Sequence, residues 1–182
     1  MAAQNIKLAE ITVSKDVQPR EALNQHVVND YVDRTREGDD FPAVIVFDDG
    51  KKKWLASGFH RYKAHKELKR AATKGEIRKG TKREAIWFAL GANAINPHRL
   101  TTGDKQKSVR MVLADKEWKK KTNRAIAKHI GCSESLVRTI IDKLGADRDP
   151  VKEVVRGGTT MTQDTSEIGA KQKKDTENKD EE

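Results

Sequence analysis

The chain has 182 residues, of which 35% are hydrophobic, and a formal net charge of +9. This length fits one or two domains, and no apolar run approaches the ~20 residues that a membrane-spanning helix needs. The single cysteine, Cys132, excludes both an intramolecular disulfide and a cysteine-rich zinc site. Because the first residues contain no apolar stretch of signal-peptide type, we expect a cytoplasmic protein with no membrane partner.

Positive charge is concentrated in the middle of the chain. Residues 51–90 carry 13 Lys and Arg against 3 Asp and Glu, and residues 91–145 carry 12 against 5. The first 50 residues are acidic, with 5 basic and 10 acidic side chains. A basic body of this size favours a polyanionic partner, most often nucleic acid, although the solvated surface of a basic protein would give the same composition.

Alternating and β-branched runs predict an α+β domain over residues 1–92. Its predicted strands are 6–13, 42–47 and 51–57, with at most a short strand at 75–81. Apolar residues at helical spacing predict its helices at 23–36, 59–70 and 82–90.

A small all-α domain is predicted to follow at residues 93–145, beginning with a helix at 102–113. Residues 146–182 contain no aromatic side chain and few apolar ones. Such a segment buries too little apolar surface to offset an ordering entropy of ~1–2 kcal/mol per residue. We therefore predict a disordered tail there.

The clearest motif is NRAIAKHIGCSESLVRTIIDKL at residues 123–144, which predicts a helix-turn-helix. Gly131 suits the turn, where a positive φ is needed, and Ser133 suits the start of the second helix. The inward positions are predicted to be Ile126, Ala127, Ile130, Leu136, Val137, Ile140, Ile141 and Leu144. The alternative is an ordinary helical hairpin.

The outward side chains of this motif predict contacts with the major groove of double-stranded DNA. Arg138 can bind guanine through two hydrogen bonds, and Ser135 and Thr139 can reach base edges or phosphates. Lys128 and Lys143 suit phosphate contacts, which position a protein without reading sequence. Ser133 completes the predicted DNA-binding set.

The stretch GFHRYKA at residues 58–64 predicts a phosphate-binding helix start. Gly58 follows a strand, and the free N–H groups and dipole of the next helix attract an anion. Arg61 and His60 can add side-chain donors, with His60 mostly neutral at pH 7 and protonated below about pH 6.5. Lys63 either reaches the same anion or is solvated. The alternative is a polar helix start, and His65 is predicted to be a core residue.

The order of these elements resembles the ParB partition family, and most closely the ParB-like proteins of plasmids, phages and other mobile elements. The resemblance covers about residues 6–144 and implies a ParB/sulfiredoxin-like N-terminal domain that binds CTP with Mg²⁺. The residues that match the family's three nucleotide-binding motifs are Pro19 and Arg20; Gly58, His60, Arg61, Lys63 and Ala64; and, in part, Asn93 and Arg99. The metal ligands stay unknown: Ala92 stands where the family has a glutamate, which leaves Asn93 as a weak candidate.

The resemblance implies a DNA-binding protein of plasmid, phage or mobile-element partition, or of transcriptional regulation, with CTP-dependent switching. A homodimer and a partner ATPase are further expectations. The alternative is an enzyme of the same fold, a nucleotide triphosphatase, kinase or nuclease, that is targeted to DNA. Because residues 51–90 hold only three acidic side chains, at most weak CTP hydrolysis is expected. Sulfiredoxin activity is excluded, since Phe59 stands where that enzyme has its catalytic cysteine.

Overall fold

The computed structural model describes residues 3–92, 94, 100–145, 151–156 and 159–164. The chain divides into two compact units. The first consists of Met1–Ser108 with His129–Gly131, and the second of Val109–Lys128 with Cys132–Glu182.

The first unit is built on one five-stranded mixed sheet. Its strands, in chain order, are β1 (Gln4–Lys7), β2 (Ile11–Thr12), β3 (Val44–Asp48), β4 (Lys53–Ser57) and β5 (Ala72–Lys79). Their order across the sheet is β1-β5-β3-β4-β2. The pairs β1–β5 and β3–β4 are antiparallel, whereas β3–β5 and β2–β4 are parallel.

This strand order forces the sheet to curl. The first two strands lie on opposite edges, yet only the 3₁₀ turn Leu8–Glu10 separates them. Four inter-strand spacings of a flat sheet would hold the edges ~19 Å apart. The four residue steps from Lys7 to Ile11 can span at most ~14 Å. The edges must therefore approach each other, and the sheet forms a half-barrel around a core that includes Val46 and Leu55.

Three helices pack around this sheet, and a fourth begins in the first unit. They are α1 (Gln25–Arg36), α2 (Phe59–Glu67), α3 (Lys82–Gly91) and α4 (Thr102–Ala114). Val28 and Val32 of α1 pack with Ala64 of α2, and Ala85 and Ala89 of α3 join the core of the sheet. Thr81 and Glu84 form a capping box that fixes the start of α3.

The second unit contains a 3₁₀ turn at Trp118–Lys120, most of the helix α5 (Asn123–Ile130), the helix α6 (Glu134–Leu144) and a β-hairpin. The hairpin pairs β6 (Val151–Arg156) with β7 (Thr159–Asp164) in antiparallel register. None of the helices in the described residues is both long and apolar enough to cross a membrane.

The predicted α+β fold class is confirmed, with two local differences in the first unit. The strand predicted at 6–13 is split by the turn at Leu8–Glu10, because its two halves form opposite edges of the sheet, with β1 beside β5 and β2 beside β4. The strand predicted to be short at 75–81 runs instead from Ala72 to Lys79. It is long because it lies inside the sheet and pairs on both sides, with β1 and with β3.

A third difference concerns the predicted tail. Residues 146–150, 157–158 and 165–182 lie outside the described residues, but β6 and β7 stand where no ordered element was expected. The overlooked signal is the dipeptide Gly-Gly at 157–158 between two runs rich in Val and Thr, because such a dipeptide favours a two-residue hairpin connection. The predicted boundaries at residues 92 and 145 stay predictions.

Leu55→Ala should destabilise the protein by about 2–5 kcal/mol, because Leu55 is fully buried in the core against the sheet and its truncation leaves a cavity. The matched control is Val13→Ala, since Val13 is 44% exposed. The control should change the free energy of unfolding by about 0.5 kcal/mol or less. Urea unfolding of both variants measures the difference, and equal values would contradict the placement of this core.

Candidate nucleotide-binding cleft and DNA-binding helices

A cleft of about 790 Å³ lies in the first unit beside the start of α2. Residues 57–61 line one part of it, residues 19–24 a second, and the exposed side of α1 a third. The volume falls within the range of ~300–1,000 Å³ that is usual for small-molecule sites. The predicted residues Arg20, Gly58, His60 and Arg61 all border this cleft.

Gly58 determines how the chain turns from β4 into α2. It adopts a left-handed conformation with φ 90°, which side chains rarely adopt. A Cβ at this position would also lie 2.8 Å from Cγ1 of Val44. Only glycine therefore fits here without strain or displacement of β3.

The N-terminus of α2 has no side-chain cap, whereas Asn24 caps α1 and Thr81 caps α3. The first N–H groups of a helix have no intrahelical partner and carry partial positive charge. Since residues 58–60 border the cleft, this turn of α2 is suited to an anion.

Arg61 is held by the loop before β3. Its guanidinium donates to the carbonyl oxygens of Pro42 and Ala43, the latter at 3.2 Å. Burial lowers the pKa of Arg61, although an arginine stays charged in proteins. The side chain therefore brings a fixed positive charge to the cleft while it anchors this loop.

His60 faces the segment that precedes α1. Its Nε2 accepts a hydrogen bond from the backbone N–H of Asn24 at 3.3 Å. Burial, and then the positive charge of Arg20, lower the pKa of His60 to about 4, against a smaller opposing effect of Asp104. The expected protonation below about pH 6.5 is therefore wrong for the folded protein. At pH 6 the ring is neutral, and its Nε2 acts as an acceptor.

Arg20 is fixed by a buried carboxylate from the start of α4. Its Nη1 lies 3.4 Å from Oδ2 of Asp104, and their side chains are only 16% and 5% exposed. Asp104 also accepts from the backbone N–H groups of Glu21 at 2.9 Å and Thr101 at 3.2 Å. Asp104 thus holds residues 20 and 21 against α4, and with them one side of the cleft.

The remaining predicted nucleotide-binding residues are placed differently. Lys63 forms an ion pair with Glu67 at 3.3 Å, one turn further along α2, and does not border the cleft. Asn93 and Arg99 lie outside the described residues. In the part of the chain that is described, no group of three or more His, Cys, Asp or Glu is placed to hold a metal ion.

His65 is a core residue as predicted, since it is buried with its Nδ1 2.8 Å from Oγ1 of Thr73.

Several residues of the cleft were missed by the sequence analysis. Asp30, Tyr31 and Arg34 come from the exposed side of α1, and Glu21 and Asp104 from outside the segment searched for carboxylates. Asp104 had a local signal, because Thr101 and Asp104 exchange the two hydrogen bonds of a helix cap. Its contact with Arg20 joins residues 84 positions apart and left no such signal.

The second unit places the predicted DNA-binding side chains on the surface. Ser133, whose hydroxyl accepts from the N–H of Leu136, caps α6 as expected, and Gly131 has a positive φ of 77°. The exposed residues of this region include the whole predicted set, Lys128, Ser133, Ser135, Arg138, Thr139 and Lys143.

The predicted inward face is largely confirmed. Ile126, Ala127, Ile130, Val137, Ile140 and Ile141 are buried, and Leu136 is half-buried. The prediction for Leu144 is wrong: it is 51% exposed, because α6 ends there and Gly145 turns the chain away with φ 56°. The hydroxyl of Thr139 donates to the carbonyl oxygen of Ser135, which leaves Thr139 mainly an acceptor.

Comparison with known proteins gives one family and several structural likenesses. The family model of the ParB N-terminal domain matches residues 1–94 of the 182. No curated protein matches the chain. The C-terminally truncated chromosome-partitioning protein ParB from Caulobacter crescentus, complexed to the centromeric parS site, is 16% identical, with a TM-score of 0.55 over 79% of this chain and 73% of that chain. This likeness shows a shared fold.

Two further structures are less similar in shape. The Caulobacter crescentus ParB complexed with CTP-γ-S is 16% identical and has a TM-score of 0.46 over 81% of each chain. Sulfiredoxin from Arabidopsis thaliana is 26% identical and has a TM-score of 0.41 over 46% of this chain and 92% of that chain.

The low pKa of His60 gives a prediction for stability against pH. Between pH 6.5 and about 4 the unfolded chain binds a proton at His60 that the folded protein does not, so this residue's contribution to stability is full above pH 6.5 and is lost as the pH falls. His60→Gln removes the titrating group and keeps an acceptor for the N–H of Asn24. Urea unfolding of both proteins from pH 7 to pH 4 should therefore show a steeper loss for the wild type. Parallel curves would contradict the burial of His60.

Proposed function

The chain belongs to the ParB N-terminal domain family, and we propose that it is a ParB-like DNA-binding protein whose first unit binds a nucleotide. The observation that carries the nucleotide part is the cleft, in which the uncapped start of α2 adjoins the side chains of Arg20 and Arg61. Backbone N–H groups and guanidinium groups are the donors that phosphate oxygens require.

CTP is the nucleotide that the family resemblance suggests, and the described residues fit its triphosphate. The cleft is large enough for a nucleotide, and Arg34 adds a third guanidinium at the end formed by α1. The described residues suit Mg²⁺ less well than they suit a triphosphate. Hard cations prefer oxygen ligands, and the carboxylate of Asp104 already accepts hydrogen bonds from Arg20 and from two backbone N–H groups. We propose that an accompanying Mg²⁺ is held mainly by the phosphates of the nucleotide.

The DNA part of the proposal rests on α6. Arg138 is well exposed, and its contact to Glu134 at 3.8 Å is a loose surface ion pair that costs little to break. Ser135 and Lys143 are also exposed, and α6 begins with a side-chain cap. A capped helix with one arginine and small hydroxyl side chains near its start suits the major groove.

We further propose that the nucleotide shifts the protein between two states that differ in their affinity for DNA, since a ligand that binds one state more tightly increases the population of that state. Partition of a plasmid, phage or other mobile element, or regulation of transcription, is the setting that the resemblance suggests. A homodimer and a partner ATPase belong to the same proposal.

A second candidate function is slow hydrolysis of the bound nucleotide. Residues 51–90 hold few carboxylates, but Glu21 and Asp30, from the segment before α1 and from α1 itself, border the cleft. Both residues are exposed, so either carboxylate can orient a water or contact a metal ion. Release of phosphate that stops in Glu21→Gln or Asp30→Asn, while nucleotide affinity persists, would favour this candidate.

Substitutions of Arg61 and Lys63 test the nucleotide proposal, because the sequence allowed both side chains to reach the phosphate. Arg61→Ala should weaken CTP binding roughly tenfold to a hundredfold, because a lost charge-assisted hydrogen bond costs about 1.5–3 kcal/mol. Lys63→Ala is the matched control and should bind within about twofold of the wild type, since Lys63 pairs with Glu67 outside the cleft. Isothermal titration with Mg²⁺ measures both, with the other nucleoside triphosphates as specificity controls.

Thermal unfolding of Arg61→Ala without nucleotide shows whether the variant is folded. Equal CTP affinity of Arg61→Ala and the wild type would place the phosphate site elsewhere. If no nucleotide binds the wild type at millimolar concentration, the cleft is not a nucleotide site.

Two substitutions distinguish base reading from phosphate contact in the proposed DNA complex. Arg138→Ala should weaken binding to a specific site by about 1–3 kcal/mol and change binding to random DNA less. Lys128→Ala should weaken both and reduce the slope of log K against log salt by about one. Fluorescence anisotropy over a salt series measures both effects, after selection of a preferred site from random duplexes. Equal losses on both DNAs for Arg138→Ala would remove its base-reading role.

A further inference from the structure

A second and smaller pocket, of about 240 Å³, lies in the first unit between α2, the loop before β3 and the start of β5. It is lined by Arg61 and His65 of α2, by residues 39–42, by Arg70 and by residues 72–74. Of its described residues, Arg61 alone also borders the larger cleft. Its volume is below the ~300 Å³ at which sites for drug-sized ligands begin, so it suits a group of the size of one phosphate.

Both carboxylates at this small pocket are already engaged. Asp39 pairs with Arg34 at 2.8 Å, and Asp40 pairs with Lys74 at 2.6 Å. The ammonium group of Lys74 holds the pKa of Asp40 below its usual range. An anion that enters the pocket therefore meets two ion pairs and not two uncompensated negative charges.

Two guanidinium groups at the pocket have no acidic partner among the described residues. Arg61 donates to carbonyl oxygens of the loop before β3, and Arg70 donates to the carbonyl oxygen of Thr35 at 3.5 Å. These carbonyl groups engage donors but do not neutralise the charges. Burial, and then the positive charges of Arg70 and Arg61, lower the pKa of His65. Both guanidinium groups are therefore near enough to the ring to act on the same ligand.

Thr73 determines which nitrogen of His65 carries the proton. Its hydroxyl lies 2.8 Å from Nδ1 of His65, is buried, and has no other partner in the described part of the chain. A buried hydroxyl that only accepted from Nδ1 would leave its own proton without an acceptor, which is unfavourable. Thr73 therefore donates to Nδ1, and the neutral ring carries its proton on Nε2.

The Nε2–H group of His65 is open to the pocket. Among the described residues, no fully buried side-chain nitrogen or oxygen lacks a hydrogen-bond partner. Since Nε2 has no such partner there, it is not fully buried and must reach the surface of the pocket that His65 lines. The side chain is nevertheless only 9% exposed. A donor in such a poorly solvated place binds an acceptor more strongly than one on the open surface.

We propose that this pocket is a second anion site, which binds a phosphate group through Nε2–H of His65 and the guanidinium groups of Arg61 and Arg70. The oxygens of one phosphate can accept from all three side chains, and the planar fork of arginine suits them. Lys74 can exchange its pair with Asp40 for the phosphate, because both side chains are exposed and a surface ion pair contributes little. The site does not depend on nucleotide or DNA binding.

Nuclear magnetic resonance of the His65 ring tests the site in the full chain. Proton–nitrogen correlation spectra should show the tautomer that is protonated at Nε2. Inorganic phosphate should shift the Nε2 resonance to saturation with a Kd on the order of 1 mM, whereas sodium chloride of equal ionic strength should not. Glycerol 3-phosphate then identifies the source of the phosphate group. A shift with both compounds indicates a phosphate ester as ligand, and a shift with inorganic phosphate alone indicates the free ion; either result supports the site.

Substitutions show whether the predicted cations hold the phosphate. Arg70→Ala should weaken phosphate binding roughly tenfold or more, because it removes charge-assisted hydrogen bonds. Arg70→Gln keeps a donor for the carbonyl oxygen of Thr35 and loses the charge, so it should weaken binding as well. The matched control is Lys66→Ala, which removes an exposed positive charge of α2 that does not line the pocket. The control should bind phosphate within about twofold of the wild type.

Four results would overturn the proposal. The first is a His65 ring protonated at Nδ1 and not at Nε2. The second is a wild-type ring that does not respond to phosphate at about 10 mM. The third is equal phosphate affinity of Arg70→Gln and the wild type. The fourth is a response confined to the backbone of residues 58–60, which would place the phosphate in the larger cleft.

Discussion

The three-residue connection between β1 and β2 is the constraint on which the first unit depends. Since it joins opposite edges of a five-stranded sheet, the sheet must close into a half-barrel, and Leu55 and Val46 become fully buried inside it. The antiparallel pairing of β3 and β4 places Ile45 beside Ser57. The loop before β3 therefore lies next to the turn at Gly58, where Arg61 reaches its carbonyl oxygens.

The electrostatics of the cleft follow from burial as much as from composition. Asp104 holds Arg20 in place, and burial together with the charge of Arg20 lowers the pKa of His60 to about 4 and keeps the ring neutral. A neutral His60 accepts from Asn24, the residue that caps α1. One buried carboxylate thus orders the segment between the sheet and α1. The side chains of Arg20 and Arg61 are already held by protein contacts, which would lower the cost of ordering the proposed nucleotide site on binding.

The second unit presents its proposed DNA-binding surface on α6. The exposed residues of α6 include Arg138 and Lys143, whose positive charges suit a polyanion. The ion pair of Lys121 with Glu153 attaches the hairpin to the turn that precedes α5.

The sequence by itself determined the elements with strong local signals. Periodicity, glycine and capping residues predicted the α+β class, the helices around Gly131 and the helix start at Gly58, because these depend on neighbours within one or two turns. The tertiary structure alone decided which side chains meet. It paired Arg20 with Asp104, turned Arg61 toward Pro42 and lowered the pKa of His60. The two contacts join residues far apart in the chain, and the pKa of His60 is lowered by burial, so no local pattern predicts them.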